Sequence, residues 1–275
     1  MSKVLMLSHF HREFPFNFDS SWLKASYAGG TEAYEWKPPT EEGEYTNVTT
    51  REFIFKYRHY YGMTTEHDFL RAIGQQVTDF YLANLDTDAE YLGVASYRRY
   101  LDPSSSNPEL KITMPANLES CKYLSSDEQE QAILKHMETA DVLTNRTWTM
   151  HTSIENQYLE SQLKEYWDLF KEGIVHVNPT YKPYMNWFDG NRCNYEGVYI
   201  TRKDLFRKLV SEYFLVMEYI WKRCSQVYPS KDNQSYSCSE PLPWRYPGFL
   251  NERFVPFFFH ANNLKQAEVP LVFLN

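Results

Sequence analysis

Two adjacent arginines, Arg98 and Arg99, stand between Tyr97 and Tyr100, directly after the short apolar run Tyr91-Leu92-Gly93-Val94-Ala95-Ser96. A guanidinium is planar, permanently charged and grips two oxygens at once, so a pair of them at a strand's end suits a diphosphate. The plainer alternative is an exposed pair that answers surface carboxylates. Glu252 is the second candidate, followed by Arg253 inside a run, Trp244 to His260, that is otherwise largely apolar. Apolar surroundings make a carboxylate costly to ionise and raise its proton affinity, which is what a general base needs. The alternative for it is an internal salt bridge, with Arg245 as the nearest partner in sequence. Ser8 and His9 close another apolar run, Val4 to Leu7, where side chains at a strand exit face a ligand. His9 and His11 have no carboxylate or cysteine at ligand spacing and read as loop residues, not metal ligands. Asp86-Thr87-Asp88 has the form that holds a divalent ion against a diphosphate, but it precedes the Tyr91 run and reads as a polar turn feeding that strand. The stretch Tyr181 to Gly197 carries Trp187, Asp189, Asn194, Tyr195 and Glu196, a composition that belongs to a binding loop. Arg51 to Tyr61 interleaves cations with aromatics, as either a base-stacking surface or a half-buried amphipathic segment does.

These groups need a frame, and 275 residues supply enough chain for a large buried core. The first strand is expected over Lys3 to Ser8 and the central one from Tyr91. Both are apolar on successive positions, as in strands covered on both faces. A helix is expected from the cap at Thr64-Thr65-Glu66 to about Leu85, with Phe69, Ile73, Gln76, Val77, Phe80 and Tyr81 on its packed face. Pro103 to Pro115 reads as a loop. A capping box at Ser125-Ser126-Asp127-Glu128-Gln129 starts a helix through His136, and Ala140 to Leu143 follows as a strand. Met150 to Lys171 is a helical stretch, Gly197 to Ile200 a strand, Asp204 to Cys224 a helix with a core stripe, and Pro270 to Leu274 a closing strand.

Net charge is −8, which disfavours non-specific binding to polyanions, although a local basic stripe can still meet nucleic acid. The 4 cysteines show neither a CxxC pair nor metal-ligand spacing. With no signal-like start, they read as reduced thiols in a cytoplasmic protein. No apolar run is long enough for a membrane span.

Four segments in order resemble the DUF4422 group, a bacterial glycosyltransferase family associated with capsular and lipopolysaccharide sugar transfer. Its central H-Y-R-R-Y-F reads here Ser96-Tyr97-Arg98-Arg99-Tyr100-Leu101, and its E-L-T-x-x-Y reads Gln76-Val77-Thr78-Asp79-Phe80-Tyr81. Its N-M-F-I-M-K-K is similar to Gly197-Val198-Tyr199-Ile200-Thr201-Arg202-Lys203, and its R-x-x-G-[FY]-x-x-E-R matches Arg245 to Arg253. The departures are Ser96 for His, Gln76 for Glu and Gly197 for Asn.

The resemblance implies an α/β fold, a single GT-A-like domain with a mixed, mostly parallel central sheet flanked by helices. Residues 1–145 are then the nucleotide-sugar-binding half and 146–275 the acceptor and catalytic half. It implies a nucleotide-diphosphate sugar, in particular a UDP-sugar, as donor. Ser8, His9, Thr78, Tyr97, Arg98, Arg99 and Arg253 are expected on the donor, with Glu252, Arg98 and Arg99 catalytic. Trp187, Asp189, Asn194, Tyr195 and Glu196 are expected on the acceptor. GT-A enzymes usually carry a metal-binding D-x-D after the central strand. Here the arginines stand in that place, so Mn²⁺ or Mg²⁺ is allowed for but not expected. The acceptor implied is a glycan hydroxyl, with a hydroxymethylated base of bacteriophage DNA as the competing expectation, in a bacterial cytoplasm or that of a phage host. A non-catalytic carbohydrate-binding or assembly protein on the same fold is the alternative, which Gln76 and Ser96 favour.

Overall fold

The computed structural model describes residues 2–10, 18, 20–27, 46–47, 57, 75–96, 98–105, 107–194, 196–225 and 245–275. Their frame is a ten-stranded sheet. Its central members are β1 (Val4–Phe10) and β4 (Tyr91–Ser96), parallel and in register from Val4 opposite Tyr91 to His9 opposite Ser96. β2 (Leu23–Tyr27) lies parallel on the other side of β1, with β3 (Thr46–Asn47) beyond it. Past β4 come β10 (Tyr199–Arg202), antiparallel, then β7 (Val142–Asn145) and β11 (Gln266–Val269), parallel to each other. The sheet is mixed and mostly parallel, as expected.

β4 does not end at the arginines. The chain turns through Tyr97-Arg98 and runs back as β5 (Arg99–Leu101), with Ser96 opposite Arg99. β12 (Leu271–Leu274) braces β5, pairing Phe273 with Arg99, and its Leu274 amide donates to the Arg98 carbonyl at 3.0 Å. β6 (Lys111–Met114) lies parallel to β12 on the far side, so the segment expected to be a plain loop contains an edge strand. Its four residues, half of them polar, carry too weak an alternation to show in sequence.

Side chains alternate between two cores across the sheet. Leu7, Leu92, Val94, Val142 and Tyr199 face one, while Val4, Met6, Ala95, Leu143 and Ile200 face the other. Gly93 is needed where β4 meets β10, because a Cβ there would lie 2.6 Å from Ile200 Cγ1 and 2.9 Å from the Tyr199 carbonyl oxygen. The first core is covered by α1 (Gln76–Asn84), α4 (Ile154–Leu159), α5 (Lys164–Val177), α6 (Lys203–Trp221) and α7 (Tyr246–Ala261). The second is covered by α2 (Leu118–Leu124) and α3 (Asp127–Met137).

Local sequence accounts for most of these helices. Phe206, Leu209, Val210, Tyr213, Phe214, Met217 and Ile220 recur at helical spacing along α6 and are all buried. Ser126 caps α3 by accepting from the Gln129 amide. The stretch from Met150 to Lys171 is two helices, not one, since Ser153 caps the first and Leu163 is already extended before the second. Tyr181 to Gly197 is likewise no open loop: Pro179–Asp189 forms 3₁₀ turns, and β9 (Arg192–Cys193) pairs with β8 (Trp148–Thr149). Tyr181 and Phe188 anchor those turns in the core. Among the described residues no helix is long and apolar enough to cross a membrane.

Candidate active site at the carboxyl edge of the sheet

β1, β2 and β4 all end at one edge of the sheet. β10 runs the other way, so it begins there, and the segment 196–198 joins the same edge. Open α/β sheets bind ligands beyond such an edge. α1 adds its first turn: His9 Nδ1 lies 3.0 Å from Thr78 Oγ1, and the Gln75 side-chain amide donates to the Gly197 carbonyl at 2.8 Å. That turn at Gly197 has φ +68°, a left-handed conformation suited to glycine, where the resembling motif has asparagine.

The charged centre lies where the β4–β5 hairpin meets this turn. Arg99 Nε is 3.2 Å from a carboxylate oxygen of Glu196, with 40% of the Arg99 side chain exposed and 16% of Glu196. Among the described residues no hydrogen bond engages the two terminal nitrogens of Arg99. Arg98 is exposed at the hairpin tip. Glu252, on the second turn of α7 and 31% exposed, pairs at 2.9 Å with Arg253, not with Arg245. Its carboxyl is held above the usual range chiefly because burial penalises the charge, and Glu196 adds to this by repulsion. Arg253, Arg99 and Arg245 pull it back. Pro256, four residues on, brings no amide hydrogen to the Glu252 carbonyl, so α7 is weakened at this residue.

Several expected residues stand behind this centre, not in it. Ser8 is fully buried, its hydroxyl 2.8 Å from that of Tyr100, so it braces the hairpin from below. Thr78 is equally buried, between His9 and Ser26. Arg253 is 3% exposed and spends its guanidinium on Glu252, the Phe249 carbonyl and Gln157 of α4. Asn194 is buried and donates its amide to Thr144 and Gln266, tying β9 to the sheet. Asp189 is exposed at the end of the 3₁₀ turns. Trp187 packs on Phe188, Phe257 and His260, two turns of α7 beyond Glu252, and is not drawn into the charged centre. Tyr97, Tyr195, His11 and Arg51 to Tyr61, except Tyr57 in the core, lie outside the described residues.

Four residues of this region were not singled out from sequence: Gln75, Asp79, Asn251 and Ser26. Asp79 of α1 is buried and accepts from the Asn251 amide at 3.3 Å, and its pKa is pushed up to about 8 by that burial. Its other oxygen, and the carbonyl oxygens of Asn251 and Gln76, are buried without a partner among the described residues. A proton on Asp79 supplies a donor that this cluster lacks. The available signal was the helical pattern itself, which puts Gln76 and Asp79 one turn apart on a face that buries Val77 and Leu82.

Among the described residues no three His, Cys, Asp or Glu side chains converge, and Glu196 and Glu252 are each already paired with a guanidinium. Asp86 and Asp88 precede β4, at its opposite end.

Comparison with curated proteins gives no match. A solved apo structure of the bifunctional glycosyltransferase WbbM superimposes with a TM-score of 0.73 at 15% identity, over 100% of this chain and 46% of that one. The chain thus has the fold of part of that glycosyltransferase and spans about half its length. The family described as "Domain of unknown function (DUF4422)" matches residues 75–263, from the first turn of α1 to the end of α7, and the chain belongs to that family.

Proposed function

We propose that this protein is a glycosyltransferase that moves a sugar from a nucleotide-diphosphate donor, a UDP-sugar in the first instance, to an acceptor hydroxyl. The observation that carries the reading is the Arg98-Arg99 hairpin at the ligand-binding edge, joined through the Arg99–Glu196 ion pair to the Gly197 turn, with the charges of Arg99 and Glu196 both acting on Glu252. Glu252 takes the acceptor's hydroxyl proton, and the acceptor oxygen attacks the anomeric carbon. The bond from that carbon to the diphosphate oxygen breaks, and Arg98 and Arg99 hold the charge that collects on the leaving diphosphate. One base and one displacement invert the anomeric centre. No step in this scheme uses a metal ion.

His9 and Thr78, both buried, support the donor side from beneath, in residues 1–145, and the base comes from residues 146–275. The acceptor reaches Glu252 past Glu196. A glycan acceptor agrees with the acidic balance of the chain, and a hydroxymethylated DNA base remains the second acceptor to assay.

A thermal-shift and donor-hydrolysis panel of nucleotide sugars tests this on wild type and Arg98→Ala. One donor is expected to stabilise the wild type and be slowly hydrolysed, with both effects reduced at least about tenfold in the variant, since a lost charge-stabilising donor typically costs 10²–10³. If no nucleotide sugar stabilises the wild type, the transferase reading fails and the binding-protein alternative replaces it.

A further inference from the structure

Arg99 and Glu252 have opposite needs. For the leaving diphosphate, Arg99 must present its terminal nitrogens to the open edge. For the acceptor, Glu252 must keep its proton affinity, which a guanidinium nearby lowers. Glu196 touches both problems. It pairs with the Nε of Arg99 at 3.2 Å, and among the described residues no hydrogen bond engages the terminal nitrogens. Its own charge repels a negative charge on Glu252.

Glu196 is also held in place. It directly precedes Gly197, whose left-handed backbone is fastened to α1 through Gln75. Arg99 is fastened by β5 to β12. The ion pair therefore joins two independently anchored backbones.

We propose that Glu196 is a positioning residue of the transfer site: by pairing with Arg99 it ties the hairpin to the Gly197 turn and so places the guanidinium for the donor diphosphate. Its charge also acts on Glu252 in the sense opposite to that of Arg99. This rests on the reading of Glu252 as base and Arg99 as leaving-group holder. It replaces the acceptor contact expected of Glu196 with a role exerted through two neighbours. The other groups facing Glu252 are Arg253 beside it, Arg245 at the start of α7 and Cys193 of β9.

The experiment is a ¹³C NMR titration of the Glu252 carboxyl in the whole chain, assigned by its loss in Glu252→Gln. Glu196→Gln removes the neighbouring negative charge, so the midpoint is expected to fall by about 0.5–1 pH unit. Arg99→Gln removes the positive one, and the midpoint is expected to rise by a similar amount, about 0.5–1 unit. Glu196→Asp keeps the charge on a shorter arm. It is expected to leave the midpoint near that of wild type while raising the KM for the donor several-fold through the loosened Arg99.

A midpoint that stays put or rises in Glu196→Gln overturns the proposal, as does one that falls in Arg99→Gln. The titration needs no turnover. Shifts in the expected directions without any response to a nucleotide sugar would sink the transferase reading alone. Donor hydrolysis with unmoved midpoints would sink this inference alone.

Discussion

Glu252 and Asp79 are both carboxyl groups raised by burial, and they differ in their company. Glu252 has Arg253, Arg99 and Arg245 within electrostatic reach, which favour its ionised form, while Asp79, among the described residues, has the neutral amides Asn251 and Gln75. One is suited to gain and lose a proton, the other to keep it. The native state holds the Asp79 proton up to pH about 8, whereas the unfolded chain releases it near pH 4. The stability carried by this neutral acid is therefore complete below about pH 4 and is lost as pH rises toward 8, at about 1.4 kcal/mol per unit. Asp79→Asn keeps the shape and removes the titration. In urea unfolding the variant and wild type are expected to converge near pH 4, with the variant increasingly the more stable toward pH 8. Parallel pH dependences would contradict the assignment. Arg98, Arg99 and Glu252 were legible in the sequence because charges beside or inside apolar runs are conspicuous. Asp79 was not, since its partner Asn251 lies 172 residues away in the chain and only the fold brings them together.

At the scale of elements, three local structures build the site: the β4–β5 hairpin, the Gly197 turn and the first two turns of α7. β1, β4 and α6 were legible because each repeats its apolar pattern over several positions. The hairpin was not: the sequence shows an apolar run that ends at Ser96, and nothing local says that Arg99 begins a return strand. That fact belongs to β12, which supplies the pairing from the far end of the chain. The fit of β4 against β10 is what sets the hairpin's position relative to the Gly197 turn, and Gly93 is its tightest point. Gly93→Ala is expected to lower stability by about 1–3 kcal/mol, because backbone oxygen on a neighbouring strand cannot simply move aside. Chemical denaturation measures this. A change under about 0.5 kcal/mol, the range of an innocuous surface substitution, would mean that β4 and β10 are not packed as described.

Over the whole molecule, segments from both ends and the middle of the chain converge on one sheet edge: β1, the first turn of α1, the hairpin, the Gly197 turn and the start of α7. The α/β class was what the family resemblance implied, and the mixed, mostly parallel sheet agrees with it. Sequence order gave no access to the convergence, because the antiparallel β10 is inserted between β4 and β7 and so carries residue 196 to the side where β1 and β4 end. The result is an edge that carries the two guanidiniums of Arg98 and Arg99. We propose that Arg98 and Arg99 receive the diphosphate without a metal ion. Calorimetric titration with UDP in the presence of EDTA tests it most directly, on wild type, Arg98→Ala and Arg99→Ala. Binding that persists in EDTA and weakens at least about tenfold in each variant is the predicted result, a tenfold loss corresponding to about 1.4 kcal/mol per lost guanidinium. Binding that vanishes with EDTA and returns with Mn²⁺ or Mg²⁺, or that survives both substitutions, would contradict it.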